Sequence, residues 1–131
     1  MKAAVFGYAA ALGTIVALDA LWLGVVARDF YYARLGSLLL ERPNWLPAVA
    51  FYPIHALGIV VFVMPAAGSW PGAILYGALF GLCVYAAYDF TNLATVRGWP
   101  LAVSLVDLAW GAAVTGAAAT AAFLTIRAIT A

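Results

Sequence analysis

Three aspartates lie inside long apolar stretches of the sequence, where ionisable side chains are rare. Asp19, Asp89 and Asp107 each have apolar or aromatic neighbours on both sides. An ionised carboxylate at the centre of a membrane costs about 3 kcal/mol or more, so such a residue indicates a functional site unless its packing explains it. Because a buried carboxyl can give or take a proton, these three are the candidate acid/base residues of a catalytic site.

Other polar side chains accompany the aspartates at helical spacing. Asn92 follows Asp89 by three residues, and Ser104 precedes Asp107 by three. Residues three apart lie on the same face of a helix, so each pair is expected to point the same way. The further candidate ligand-binding residues are Tyr52, His55, Tyr85, Arg28 and Arg97.

Three chemistries and one structural role are open for these residues. Carboxylates and an imidazole ligate iron, manganese or zinc, but the sequence has no His-x-x-His or Glu-x-x-His pair, so we predict no metal site and identify no cofactor. The carboxyls suit a dimeric proton-coupled carrier. They equally suit a pocket in which an acid/base carboxyl acts on a lipid headgroup or an isoprenoid-like molecule. Alternatively, the polar groups hydrogen-bond to one another and only fix helix register.

A short motif occurs twice in the sequence. Asp19 and Asp107 are each followed three residues later by a tryptophan, Trp22 and Trp110. An inverted duplication, or chance in so biased a composition, would explain the repeat. We interpret both tryptophans as packing residues.

The composition identifies lipid as the solvent for most of the surface. Hydrophobic residues make up 68% of the 131 residues and charged residues 8%, which excludes a soluble globular protein. The net charge of +1 provides no basic surface, so nucleic acid is excluded as a partner. The lone Cys83 allows no intramolecular disulfide.

Four apolar stretches are each long enough to cross the roughly 30 Å of membrane hydrocarbon. We therefore predict an all-α membrane protein with a single domain, residues 1–131, whose four transmembrane helices form an antiparallel bundle. The first stretch is longer than a signal-peptide core and contains Asp19, so we interpret it as an uncleaved helix. The predicted spans are Ala4–Ala27, Leu46–Ala66, Gly72–Val96 and Pro100–Ile126.

Tryptophan and proline mark where the later spans begin. Trp45-Leu-Pro, Trp70-Pro and Trp99-Pro each combine an interfacial aromatic residue with a first-turn proline. The second and third connections are only a few residues long, which favours antiparallel neighbours. The first connection is longer and amphipathic, which predicts a short helix in the membrane interface. Its apolar face would carry Tyr31, Leu35, Leu38 and Leu39, and its polar face Arg34, Ser37 and Glu41.

The arginines predict an orientation in the bacterial inner membrane. The first and third connections carry Arg28, Arg34, Arg42 and Arg97, which places these connections in the cytoplasm and both termini outside it. Because the spans alternate in direction, the three aspartates and His55 are expected in one polar layer, roughly 10 to 14 Å below these connections.

Small residues at helical spacing indicate close helix packing. Gly77 and Gly81 in the third span, and Ala113, Ala117 and Ala121 in the fourth, form stripes along which helix backbones can approach. We expect these stripes to join the helices of one chain. Besides membrane lipids, the candidate partners are a second copy of the chain, as a homodimer, and a larger membrane complex.

Several motifs resemble those of a known family. The stretches Tyr88-Asp-Phe-Thr-Asn-Leu-Ala-Thr95, Gly98-Trp-Pro100 and Val106-Asp-Leu-Ala-Trp-Gly111 resemble the signature of a bacterial membrane family, domain of unknown function 2177. The resemblance extends to Asp19-Ala-Leu-Trp-Leu-Gly24, Phe30-Tyr31 and Phe51-Tyr-Pro53, and so covers nearly the whole chain. It implies four transmembrane helices and no assigned activity. The residues that match the family pattern at the polar site are Asp19, Asp89, Asn92 and Asp107.

Together, these features predict an inner-membrane protein that binds or processes a lipid or other amphiphile at its Asp/Asn cluster. Arg28 or Arg97 would attract an anionic headgroup. A non-enzymatic accessory subunit or assembly factor of a larger membrane complex is the main alternative, and the dimeric proton-coupled carrier is a further one. The sequence does not decide whether the protein is an enzyme.

Overall fold

Helices make up nearly all of the chain in the computed structural model, which describes residues Met1–Ala131. Four of the five helices are long and apolar enough to cross a membrane. The prediction of an all-α protein with four membrane spans is therefore confirmed. The helices are α1 (Lys2–Val26), α2 (Arg28–Leu35), α3 (Trp45–Ala67), α4 (Trp70–Thr95) and α5 (Leu101–Thr130).

The starts of the spanning helices lie close to the predicted tryptophan–proline motifs. Pro71 occupies the first turn of α4, and the Ser69 hydroxyl accepts a hydrogen bond from the backbone N–H of Gly72. At α3, the Asn44 side chain accepts in the same way from the N–H of Leu46. These caps satisfy backbone groups that the first helical turn leaves without a partner.

Two of the spans contain a π-helical turn. In α1 it covers Trp22–Val26, directly after the turn that carries Asp19, and in α3 it covers Ile59–Val63. The turn in α3 follows Pro53, which cannot donate the backbone hydrogen bond of a regular helix. Such turns disturb the α-helical register, and they are often found at functional sites.

Glycines allow α4 and α5 to pack with their backbones close together. A Cβ atom at Gly77 would lie 2.6 Å from that of Ala119, and one at Gly81 would overlap the carbonyl oxygen of Gly111. Residues later in α4 thus meet residues earlier in α5, so these two helices run in opposite directions. The small-residue stripe predicted from Gly77 and Gly81 lies within this interface.

The alanine stripe of the fourth span has a different position from the one expected. Ala113 and Ala117 are exposed and Ala121 is half-buried, so they do not hold the helices of this chain together. They line an open groove of about 840 Å³, together with Ile74 and Ala78 of α4. The intrachain contacts of α5 instead use the neighbouring helix faces, because an α-helix of small residues offers several equally smooth faces.

A second core forms where α1 and α3 pack on the other side of α5. Its residues are small or β-branched side chains at helical spacing, which fill the space between helices without voids. The buried members are Ala11, Ile15, Ala56, Ile59, Val63, Ala118, Ala119 and Ala122.

The helix in the first connection is shorter than the predicted amphipathic face. It ends at Leu35 because Gly36 adopts a positive φ of 46°, and a short 3-10 turn, Gly36–Leu38, follows. Leu38 and Leu39 are exposed, whereas Tyr31 is buried. Tyr31 therefore anchors α2 on the bundle. The position of α2 in a membrane interface stays a prediction.

Replacing Gly81 by alanine should weaken the α4–α5 contact strongly, because the new methyl group would overlap backbone atoms of α5. We expect Gly81→Ala to lower the free energy of unfolding by about 2 kcal/mol or more. Thermal unfolding in detergent, followed by circular dichroism, measures the change.

Gly13→Ala is the matched control, because a Cβ atom there has no neighbour within 4 Å. Its effect should stay within about 1 kcal/mol and tend towards stabilisation. Equal losses in both variants would contradict the close packing described for α4 and α5.

Candidate functional site

The three aspartates lie near the same end of the spanning helices. Asp89 is six residues before the end of α4, and Asp107 is six residues after the start of α5. At about 1.5 Å per residue, each is about 9 Å from its helix end. Asp19 is seven residues before the end of α1. The predicted polar layer is therefore present for the three carboxyls.

A chain of hydrogen bonds fastens α2 to this layer. The Tyr31 phenol donates to the Asp107 carboxyl, with 2.7 Å between the two oxygens. The same phenol oxygen accepts a hydrogen bond from the indole nitrogen of Trp22, at 3.2 Å. Burial raises the pKa of the Tyr31 phenol above its ordinary value, and the neighbouring Asp107 raises it further. Tyr31 therefore keeps its proton and remains a donor at physiological pH.

The two repeated Asp-x-x-Trp motifs meet each other. The rings of Trp22 and Trp110 are stacked, with centroids 4.4 Å apart and planes 4° from parallel. Trp110, of the second motif, donates to the Asp19 carboxyl of the first motif at 2.6 Å. Trp22, of the first motif, reaches Asp107 of the second through Tyr31. The tryptophans thus pack as expected, and each also orients a carboxyl.

Asp89 is the one member of the layer without a hydrogen bond. Its side chain is fully buried, and neither carboxyl oxygen has a hydrogen-bond partner. It lies beside the Asp107 carboxyl and near the Ser104 hydroxyl. That hydroxyl donates weakly to the backbone carbonyl of Asp89, at 3.4 Å, and accepts from the Trp99 indole at 3.0 Å. A buried carboxyl left in this state is costly, so it indicates a group that binds something else.

The other predicted polar residues surround the layer unevenly. The Tyr52 hydroxyl lies beside Asp19, and the Tyr85 ring packs directly on the backbone of Gly111. Asn92 is only half-buried, one turn beyond Asp89. Tyr52 and Tyr85 thus line the inner side of the carboxyl layer, and Asn92 lies nearer the helix end.

His55 does not belong to the carboxyl layer, contrary to the prediction. Its Nε2 atom is 2.9 Å from the Thr115 hydroxyl, and its ring is stacked between Phe51 and Phe80. His55 lies ten residues after the start of α3, or about 15 Å, which is deeper than Asp107. The expectation treated His55 as near the helix start, and the true distance removes it from the site.

The predicted arginines do not reach the carboxyls. Arg28 and Arg97 are exposed, and the Arg28 guanidinium lies over the Tyr32 ring, 5.4 Å from its centroid. No basic side chain is among the groups that act on Asp19 or Asp89. No three of the His, Cys, Asp and Glu side chains are grouped so that they could hold a metal ion.

Sequence reasoning did not assign Tyr31 and Thr115 to the polar groups of the bundle. Tyr31 was expected only on the apolar face of the connecting helix, and Thr115 is one of many small residues in α5. The repeated Asp-x-x-Trp motif was a signal that α1 and α5 approach each other here. No comparable signal in the sequence indicates the His55–Thr115 pair.

The fold and this network define the class: a multi-pass membrane protein with a buried cluster of carboxyl, indole and phenol groups near one end of its helices. A family model described as a predicted membrane protein (DUF2177) matches residues 4–124, and the chain belongs to this family. The resemblance drawn from the motifs is thereby confirmed. No curated protein and no solved structure matches the chain.

Tyr31→Phe should loosen α2 without unfolding the bundle, because it removes the hydrogen bonds that Tyr31 makes with Asp107 and Trp22. We expect a loss of about 1 kcal/mol in local stability. Amide hydrogen exchange of residues 28–38 should accelerate by roughly fivefold, as that free energy implies. Tyr32→Phe is the control, because Tyr32 is exposed. Unchanged exchange in Tyr31→Phe would show that the phenol does not anchor α2.

Thr115→Val should destabilise the whole bundle, since it leaves the buried His55 ring without its hydrogen-bond partner. The expected loss is about 1 kcal/mol in the free energy of unfolding. Thr120→Val is the matched control on the same helix, where the hydroxyl bonds only to the backbone carbonyl of Gly116. Thermal unfolding of both variants in detergent measures the difference. A loss of equal size in the control would contradict a specific role for the pair.

Proposed function

We propose that this membrane protein binds an amphiphile by its polar headgroup at the Asp89–Asp107 pair. The observation that carries the proposal is the Asp89 carboxyl, which is fully buried and has no hydrogen-bond partner. A carboxylate only accepts hydrogen bonds. The bound headgroup must therefore present hydrogen-bond donors.

The depth of the pair suits a lipid headgroup. The 26 residues of α4 extend over about 39 Å, compared with about 30 Å of hydrocarbon. A carboxyl about 9 Å from the helix end then lies about 5 Å inside the hydrocarbon boundary, if the helix is centred. A headgroup that bends inwards can reach this depth while its acyl chains stay in the bilayer.

The surroundings of the pair also suit an amphiphile. Asp107 is only half-buried, which gives a route from the helix surface to Asp89. Phe90 and Leu105 beside the pair are exposed apolar residues, and acyl chains can lie against them. Asp89 and Asp107 would be the acid and base for chemistry on a bound headgroup, with Asp19 and Asn92 orienting it.

The proposed location is the inner membrane of a bacterium. The spans are helical, whereas proteins of the bacterial outer membrane cross it as β-barrels. The arginines of the first and third connections favour a cytoplasmic position for the end of the bundle that contains the carboxyls.

A second candidate function is that of a non-enzymatic accessory subunit. It is favoured by the open groove along Ala109, Ala113 and Ala117, because small residues let another transmembrane helix approach closely. Stable co-purification of larger proteins at fixed stoichiometry would support this candidate.

Native mass spectrometry of the protein released gently from its membrane tests the proposed binding. We expect lipid adducts on the wild-type chain and a loss of most of them in Asp89→Asn, because the amide is a poorer acceptor for a donor headgroup. Asp29→Asn is the control, since Asp29 is exposed on α2. Circular dichroism should show folded protein in both variants. Equal adducts in all three proteins would overturn the proposal.

A further inference from the structure

We propose that the headgroup taken by the Asp89–Asp107 pair carries a primary ammonium group, as in an aminophospholipid. The inference rests on the proposed function and specifies its ligand. The acidic cluster is not the argument by itself. The ligand is indicated by the fully buried Asp89 side chain beside Asp107, with both oxygens free to accept.

The charges around the pair favour a cation over an anion or a neutral group. Asp19, Asp89 and Asp107 lie in one layer, and no basic side chain acts on Asp19 or Asp89. An anionic group placed there would be repelled by the carboxyls. A cationic group would compensate them in a medium where water is excluded and attraction between opposite charges is strong.

The number of free acceptors favours a group with several N–H donors. Both Asp89 oxygens lack a partner, and only one oxygen of Asp107 is used by Tyr31. A primary ammonium has three N–H donors in a compact shape, as the lysine side chain does. A trimethylated ammonium has the same charge and no N–H donor, so it would leave the Asp89 oxygens unsatisfied.

The two arginines outside the layer can accommodate the rest of such a lipid. Arg28 and Arg97 each lie two residues beyond the end of a span, α1 and α4. These are the helix ends nearest to Asp19 and Asp89. A phosphate would then face the arginines, while the ammonium group points inwards to the carboxyls. This polarity matches a zwitterionic aminophospholipid.

A series of lipids with identical acyl chains tests the inference. The series consists of phosphatidylethanolamine, its N-methyl and N,N-dimethyl derivatives, phosphatidylcholine and phosphatidylglycerol. Each is titrated into the full-length protein in detergent, and retained lipid is counted by native mass spectrometry. We expect half-saturation by phosphatidylethanolamine at about tenfold lower concentration than by phosphatidylcholine, since charged hydrogen bonds are lost. Affinity should fall stepwise as the N–H donors are removed.

Variants separate the failure of the inference from that of the proposed function. Asp89→Asn should abolish the preference for phosphatidylethanolamine, and Asp29→Asn should keep it. If all five lipids bind equally and binding depends on Asp89, amphiphile binding stands and the ammonium inference falls. If no lipid depends on Asp89, both fall. Should Asp89→Asn not fold, the ranking of lipids on the wild-type chain still decides, because equal affinity for phosphatidylcholine overturns the inference.

One further measurement identifies the source of the ammonium group. A soluble butylammonium salt is added to the protein loaded with phosphatidylethanolamine. Retention of the lipid supports the aminophospholipid. Displacement of the lipid at micromolar salt would mean that the site recognises a free amine, and it would overturn the assignment to a lipid.

Discussion

The close approach of α4 to α5 is the constraint on which the rest of the site depends. Gly81 and Gly111 lie where any larger residue would overlap backbone atoms, so the two helices are held at a fixed distance and register. That register places Asp89 beside Asp107. Two acidic groups would not approach each other in hydrocarbon without such a constraint, because burial and mutual repulsion both oppose it. The stability of the glycine interface therefore supports an electrostatically unfavourable pair.

The remaining carboxyls illustrate how a membrane bundle can tolerate acidic groups. Asp19 is stabilised by the indole N–H of Trp110, and Asp107 by the phenol of Tyr31. Both donors are amphipathic aromatic side chains, which bring a polar atom into the bundle with little exposed polar surface. Asp89 lacks such a donor, although Trp99 lies close enough to bond Ser104. The difference between Asp89 and the other two carboxyls is the basis of its assignment to a ligand.

The sequence predicted those features that depend on one helix at a time. Hydropathy located the four spans, and the alternation of their directions placed Asp19, Asp89 and Asp107 near one end. Features that depend on how helices rotate against one another were missed. Tyr31 meets Asp107 only because α2 folds back on α5. His55 was misplaced because depth was counted from an approximate boundary, and four residues of helix change it by about 6 Å.

The π-helical turn at Trp22–Val26 makes the length of the chain important there, besides its composition. Removing one residue from this turn would restore regular α-helical winding and rotate everything after it by about 100° relative to Asp19. Tyr31 would then leave Asp107, while every side chain of the network was still present in the chain. Single-residue insertions and deletions, which exposed loops tolerate, should therefore be poorly tolerated in this apolar turn during evolution of the sequence.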